Sequence, residues 1–403
     1  MNADVLRTVR RLVDPLALDH DDSGPVTVAP TTEEECAVIL RTASLRGWTT
    51  AFTGLGNWSP RDRPADIVLS TRRLNQIVEV RPDDLFATVE AGVPMATLRE
   101  RLRASDTWIP IDEPGTDRSI GSIVSTGTAG PLQSHFGPVR DQILGMTVVT
   151  PMGNTITAGG RLVKNVAGFD LPKLMIGGFG AFGLITRLHL RVRVLPESDV
   201  TEVALDDLTR LQRAREELVA ADISAASWEI RSLNRDHDSS PGWSLAVRVM
   251  GTREAVERHL ERLGQRVKLT WDRLTDAEAV DYRASGTAAH SGGPVTVRVG
   301  TQPTTLGATM SLLREAFGGG FTTVMSPPAM LRWSGKADAA AIRELRAKLA
   351  ELTVPLTVER APWSTLSSVG HFGAFRPGVA PLLASLGAGF DPKTILTAPI
   401  VGV

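Results

Sequence analysis

The sequence predicts an α+β protein of two domains, and three observations carry that reading. Leu184-Ile185-Thr186-Arg187-Leu188-His189-Leu190-Arg191-Val192 alternates apolar and polar residues with period two, the pattern of a half-buried strand. Between residues 25 and 196 the other apolar runs are also short, bounded by turn residues and interrupted by few helical stretches. From residue 197 onward, strand-like and helix-like segments alternate. A chain of 403 residues is long enough for each half to bury its own core.

In chain order, a helical segment is expected over residues 5–13, inside an N-terminal portion spanning 1–24. A short strand follows at residues 25–28. Thr32 and Glu35 have capping-box spacing and precede a helix that stops at Gly47. On it Cys36, Ile39, Leu40 and Ala43 share one face, so the lone thiol reads as a small core residue. Strands are expected at 67–69, 76–80, 85–90, 148–149 and 184–194, with a helix at 95–103. Residues 197–199 read as a linker, which sets the domains at 25–196 and 197–403. In the second domain strands at 203–205, 245–250, 295–299 and 356–359 alternate with helices at 208–220, 253–264, 305–317 and 338–352, Asp338 serving as N-cap. That order suits a ferredoxin-like antiparallel sheet with helices on one face. No short internal repeat stands out.

Composition narrows the function classes. A net charge of -1 argues against a sequence-independent nucleic-acid binder. No apolar run approaches the length of a membrane span, and the first residues lack the apolar block of a secretory signal. One cysteine excludes an internal disulfide and a cysteine-held metal or iron–sulfur site. A cytoplasmic location is expected.

Glycines carry the chemistry. Gly178, Gly180 and Gly183 have the G-x-G-x-x-G spacing, but a Rossmann loop must open a helix and here a strand follows. The glycines therefore turn the chain into a sheet. Two further segments can bring backbone amides to an oxyanion: Thr53-Gly54-Leu55-Gly56-Asn57-Trp58, and residues 115–130 with Gly115, Ile120, Gly121, Ser122, Ser125, Thr126, Gly127 and Gly130. Each alone is as well explained as a tight turn. Three in one domain, two of them with hydroxyls, point to a bound diphosphate.

These residues resemble the FAD-binding domain of the vanillyl-alcohol-oxidase family, the PCMH-type fold. Residues 53–57 stand where that family has its pyrophosphate loop. Val89-Glu90-Ala91-Gly92 is similar to its strand-end segment, and Ser119-Ile120-Gly121-Ser122 with residues 125–130 to its flavin loop. Gly137-Pro138-Val139-Arg140-Asp141-Gln142-Ile143-Leu144-Gly145 is a fourth similar stretch. Residues 162–174, LVKNVAGFDLPKL, and the tail from Gly389 to Pro399 resemble glycolate oxidase flavin subunits. The paired histidines of the D-type subunit have no counterpart; His237, His259, His290 and His371 are scattered. The resemblance is therefore to the E-type subunit.

That resemblance implies two small α+β subdomains with non-covalent FAD between them, followed by a ferredoxin-like cap. It implies cofactor contacts from the residues named above together with Gly183 and Ile185, no metal and no assigned catalytic base. It also implies partners: a D-type flavoprotein that oxidises a small 2-hydroxy acid and an iron–sulfur subunit, through which the complex meets a membrane. The chain departs from the family at Leu55, which replaces a loop glycine, at Phe169, and in lacking an arginine in the first loop. Among the charged residues, Lys164 and Lys173 read as surface groups and Asp170 as a helix cap. Arg140 and Asp141 read as pairing with each other or with loop amides; Arg298 and Arg332 offer charges for a substrate carboxylate, but solvent or salt-bridge roles are the favoured reading. A self-sufficient FAD enzyme and a flavin-free scaffold remain open alternatives.

Overall fold

The computed structural model of the chain describes residues 2–19, 24–60, 62–160, 170–221, 223–233, 242–325, 329–375 and 377–398. In the first sheet Val26–Val28 and Thr50–Thr53 lie parallel on either side of Ile67–Ser70, and Leu18–Asp19 joins the edge antiparallel. Parallel pairing needs a crossover, which helix Glu33–Arg46 supplies. Thr32 Oγ1 accepts from the Glu35 amide at 3.1 Å, and Gly47 ends the helix at φ 68°. The capping box is half formed, because the Glu35 carboxylate turns to Thr31. Cys36, Ile39, Leu40 and Ala43 are buried as their spacing predicts, and burial pushes the Cys36 thiol up. The opening helix is Asn2–Val9, shorter than expected: the chain must leave it before Asp14 and Pro15 start a separate 3-10 turn.

A second sheet is wholly antiparallel, in the order Ile77–Arg81, Phe86–Glu90, Leu184–Arg191, Ile143–Val149, Thr155–Gly159. Leu188 and Leu190 of the central strand are fully buried with Leu98 and Leu102 of helix Met95–Arg103. The expected strand 184–194 is interrupted near Val192; Arg193–Val194 pairs instead with Thr107–Trp108. Residues 120–126, expected as loop, form helix Ile120–Thr126, with Ser119 Oγ accepting from the Ser122 amide. Gly121 sits inside it because the helix rests on a strand end: its amide donates to Ala91 O at 2.8 Å.

The C-terminal sheet has eight strands, each antiparallel to its neighbours. Ser198–Asp206, Ser227–Ser232, Trp243–Gly251 and Asp272–Arg273 form one ferredoxin-like unit with helices Leu208–Ala220 and Arg253–Arg266. Val295–Gly300, Phe321–Met325, Met330–Gly335 and Leu356–Arg360 form a second, with helices Leu306–Phe317 and Ala339–Glu351. The units join edge to edge through Ser227–Ser232 and Phe321–Met325. The cap is thus the expected fold twice over, a repeat of topology rather than of sequence. Residues 198–199 are strand, not linker: Asp199 pairs bidentately with Arg248, and that ion pair anchors the strand's start. One continuous core, with Trp333 fully buried against Phe317, spans both units.

After the cap, helices Trp363–Val369 and Val379–Phe390 return the chain to the first domain. Asp391 accepts from the amides of Ile395 and Leu396, and Ile395 enters the core of the first sheet. The Thr50 amide donates to Ile395 O at 2.7 Å, and the Thr397 amide to Thr50 O at 3.1 Å.

Candidate functional site

The two N-terminal sheets and the cap border a common cleft. Thr53 and Gly54 reach it from the end of the parallel strand, Gly121, Ser122, Ser125 and Thr126 from the short helix, and Gly183 and Ile185 from the entry to the central strand. Trp58 closes one side, and Glu359 and His371 contribute from the cap. The glycines are required by close approach. A Cβ on Gly54 would stand 2.5 Å from Ser119 Oγ, and one on Gly183 2.8 Å from Val149 O. Glycine backbone beside hydroxyls along this cleft is the lining a diphosphate needs, so the residues fit FAD.

Leu55, Gly56 and Asn57 line a smaller adjoining cleft with Asp117, Arg118, Ser119 and Ser122. Asn57 Nδ2 donates to Asp117 O at 3.0 Å and ties the two loops together. Four expected contact residues lie elsewhere. Ile120 is in the core and its amide donates to Val93 O. Gly115, at φ 85°, packs under the Trp58 ring and its amide donates to Thr287 O of the cap. Gly127 ends the short helix at φ 60° against Gly177. Gly130 makes room for Asp112, whose Oδ1 would stand 2.7 Å from a Cβ there.

The Ser122 and Thr126 hydroxyls already have a partner. Arg118, fully buried, donates to Thr126 Oγ1 at 2.7 Å, Ser122 Oγ at 3.2 Å, Thr128 Oγ1 at 2.7 Å and the Pro114 and Ser122 carbonyls at 3.1 Å. Its guanidinium lies 4.2 Å from the Trp58 ring centre. Burial pulls its pKa down to about 9, so it stays charged at neutral pH. Arg63 lines the main cleft over the ring of Trp363, and burial lowers it to about 10. The sequence offered little to find either: Arg63 sits in a proline-broken charged run, and Arg118 was one residue inside a glycine-rich string.

On the cap side, Glu359 is buried between Arg332, at 2.8 Å, and Arg298, at 2.9 Å. Both arginines are salt-bridge formers, as expected. Arg332 also donates to Ala129 O at 3.0 Å and so bonds the cap to the chain just past the short helix. His371 stacks on Phe179 with ring centres 3.8 Å apart, its Nδ1 2.7 Å from Val358 O. Burial lowers its pKa to about 4, so it is neutral.

A second, small cavity lies between the domains and is lined by Asp112, Gly130, Thr201, Glu229, Arg248, Tyr282, His290 and Arg332. Three polar atoms closed off from solvent there have no hydrogen-bond partner: Asp112 Oδ1, Thr201 Oγ1 and His290 Nδ1. Asp112 Oδ2 accepts from the Leu132 amide at 2.9 Å. Burial outweighs that bond and pushes the Asp112 carboxyl up to about 7. A carboxyl raised from 3.8 on folding stabilises the fold below the lower value, and that stability is lost as pH climbs to the higher one. Asp112→Asn is therefore expected to flatten the fall in melting temperature between about pH 4 and pH 7. Thermal unfolding across that range checks it; an identical slope in the variant would contradict the assignment.

Lys164, Phe169 and His237 lie outside the described residues, as does the start of the 162–174 string. Asp170 precedes helix Leu171–Met175 without capping it by its side chain, and pairs with Lys173 at 2.6 Å on the surface. Arg140 and Asp141 pair at 3.4 Å, also exposed. Among the described residues, no His, Cys, Asp and Glu cluster is placed to hold a metal ion. No described helix is long and apolar enough to cross a membrane.

Residues 25–159 match the family described as "FAD binding domain", and FAD is the cofactor that this match supports. The likeness then sharpens. The chain is 29% identical over 223 residues to "Glycolate oxidase subunit GlcE" of Escherichia coli (strain K12), covering 54% of this chain and 61% of that subunit. It is 30% identical over 165 residues to "Glycolate oxidase subunit GlcD" of Bacillus subtilis (strain 168), covering 40% of this chain and 35% of that one. The chain thus spans less than two thirds of the length of the first relative and about a third of the second. Among solved structures, 4-ethylphenol oxidase from Gulosibacter chungangensis superposes with a TM-score of 0.72 at 17% identity, over 98% of this chain and 93% of that one. That likeness is one of fold.

Proposed function

We propose that the chain is the FAD-carrying, E-type subunit of an oxidoreductase complex acting on a 2-hydroxy acid such as glycolate. The observation that carries this is the glycine-walled cleft between the two N-terminal sheets, in a chain similar along much of its length to a glycolate oxidase subunit. We read the FAD as non-covalently held, since residues 53–58 of the first loop contain no histidine or cysteine. FAD supplies hydride acceptance at its ring. The chain's own residues supply binding and exclusion of water: Gly54, Gly121 and Gly183 give the backbone close approach, and Trp58, Phe179 and His371 wall the cleft. In this reading a D-type flavoprotein oxidises the hydroxy acid and an iron–sulfur subunit passes electrons on. The subunit works in the cytoplasm and meets a membrane through those partners.

A second reading, a self-sufficient FAD oxidoreductase, is favoured by the interdomain cavity. Asp112, poised near pH 7, and neutral His290 are groups suited to holding a proton beside a polar substrate. Purification separates the readings. Visible absorption by the isolated chain establishes the flavin; a colourless protein that gains no stability from added FAD leaves the scaffold alternative. Bleaching by glycolate or D-lactate in isolation supports the second reading. Bleaching only after addition of a D-type subunit that co-purifies with the chain supports the first.

A further inference from the structure

We infer that Arg63 and Arg118 form a diphosphate-binding pair that supplies the positive charge missing from the first glycine loop. The inference rests on the dinucleotide reading of the cleft and assigns residues within it.

A guanidinium taken out of water keeps its charge at a cost, and proteins offset that cost with a carboxylate. Some arginines here follow that arrangement, Arg332 and Arg298 meeting Glu359 and Arg248 meeting Asp199, whereas Arg231 and Arg346 bond to carbonyls and a hydroxyl and line neither the main cleft nor the adjoining one. Arg118 is 2% exposed, yet each of its hydrogen bonds goes to a neutral hydroxyl or carbonyl, and its Nε has no partner. Arg63 is half-buried, its Nε also lacks a partner, and its contact is the Trp363 ring. Among the described residues neither arginine has an ion-pair partner.

Both border the same glycine loop. Arg63 lines the main cleft with Thr53, Gly54 and Ser122, and Arg118 lines the adjoining one with Gly54, Leu55 and Ser122. Two cations without an ion pair among the described residues flank a segment whose glycines admit an oxyanion to the backbone. An anion is the complementary partner, and in the dinucleotide reading of the cleft that anion is the diphosphate. Arg118 is fixed by its hydrogen bonds and so is preorganised, and Arg63 faces the main cleft beside the Trp363 ring.

The test compares FAD with riboflavin, which carries the same ring and no phosphate, on the full chain stripped of flavin. Titrations follow quenching of flavin fluorescence for the wild type, Arg63→Gln and Arg118→Lys. Loss of a charge-assisted contact is expected to weaken FAD binding by about tenfold to a hundredfold in Arg63→Gln, with riboflavin affinity unchanged. Arg118→Lys keeps the charge but loses the fork, and a smaller loss confined to FAD is expected. Equal FAD affinity in Arg63→Gln and wild type overturns the assignment, and so does a parallel loss of riboflavin. If the wild type binds no FAD, the cofactor reading fails separately. Inorganic diphosphate then decides: a rise in melting temperature that is lost in Arg63→Gln supports the pair, and no rise in the wild type overturns it.

Discussion

Arg332→Met is expected to destabilise the chain by about 3–5 kcal/mol, the cost of stranding a buried carboxylate. Arg332 and Glu359 are each 1% exposed, and Arg332 grips both carboxylate oxygens at 2.8 and 3.1 Å. Without it Glu359 keeps only Arg298, whose side chain is 27% exposed. The same substitution removes the bond to Ala129 O, so cap and cofactor domain loosen together. Removing both charges, in Arg332→Met with Glu359→Leu, is expected to recover much of the loss, because two apolar groups then fill the space. Burial alone would push the Glu359 carboxyl up, but Arg332 and Arg298 outweigh it and hold the group below the usual glutamate range. A depressed carboxylate stabilises the fold above its unfolded value and loses that effect as pH falls through the folded one. The wild-type advantage over the double variant should therefore shrink below about pH 4.5. Urea unfolding of all three proteins at neutral and acid pH measures both effects.

Gly121→Val is expected to abolish flavin retention while leaving the cap folded. A Cβ at Gly121 would stand 2.6 Å from both the Cβ and the carbonyl oxygen of Ala91, and the strand end there cannot retreat. Ala91 is itself fixed by its amide bond to Thr186 O in the central strand. The short helix must therefore move, at a cost of about 1–3 kcal/mol for overpacking. It carries Ser122 and Ser125 out of the cleft with it. Gly264→Ala is the matched control: a Cβ there meets nothing within 4 Å, and it lies in a cap helix. Visible absorbance per mole of purified protein reads the outcome; a Gly121→Val protein as yellow as the control would refute the geometry.

The sequence made the fold legible where one face of an element is buried and the other wet. Helices Met95–Arg103 and Leu208–Ala220 fall where their periodicity predicts. Elements escaped where that contrast fails. Met330–Gly335 is buried along its whole length, charged Arg332 included, so no alternation betrays it. Thr155–Gly159 is an edge strand of small residues without a fully buried position. Helix Ile120–Thr126 hides behind a glycine and three hydroxyls, and tertiary contact with Ala91 overrides its weak propensity. At the site, glycine spacing located the cleft but not its charges. Arg63 and Glu359 reach it from segments with no motif, because a long side chain acts where space brings it.

The return of residues 395–397 to the Thr50 strand bears on how the protein is made. A ribosome releases the strands at residues 26–70 early, but the segment that covers their open side emerges after the entire cap. Until then the nascent first sheet presents bare amides and carbonyls of the kind that recruit stray strands. Completion of the cofactor domain therefore waits until residues 395–397 have been made, well after the strands they bond to.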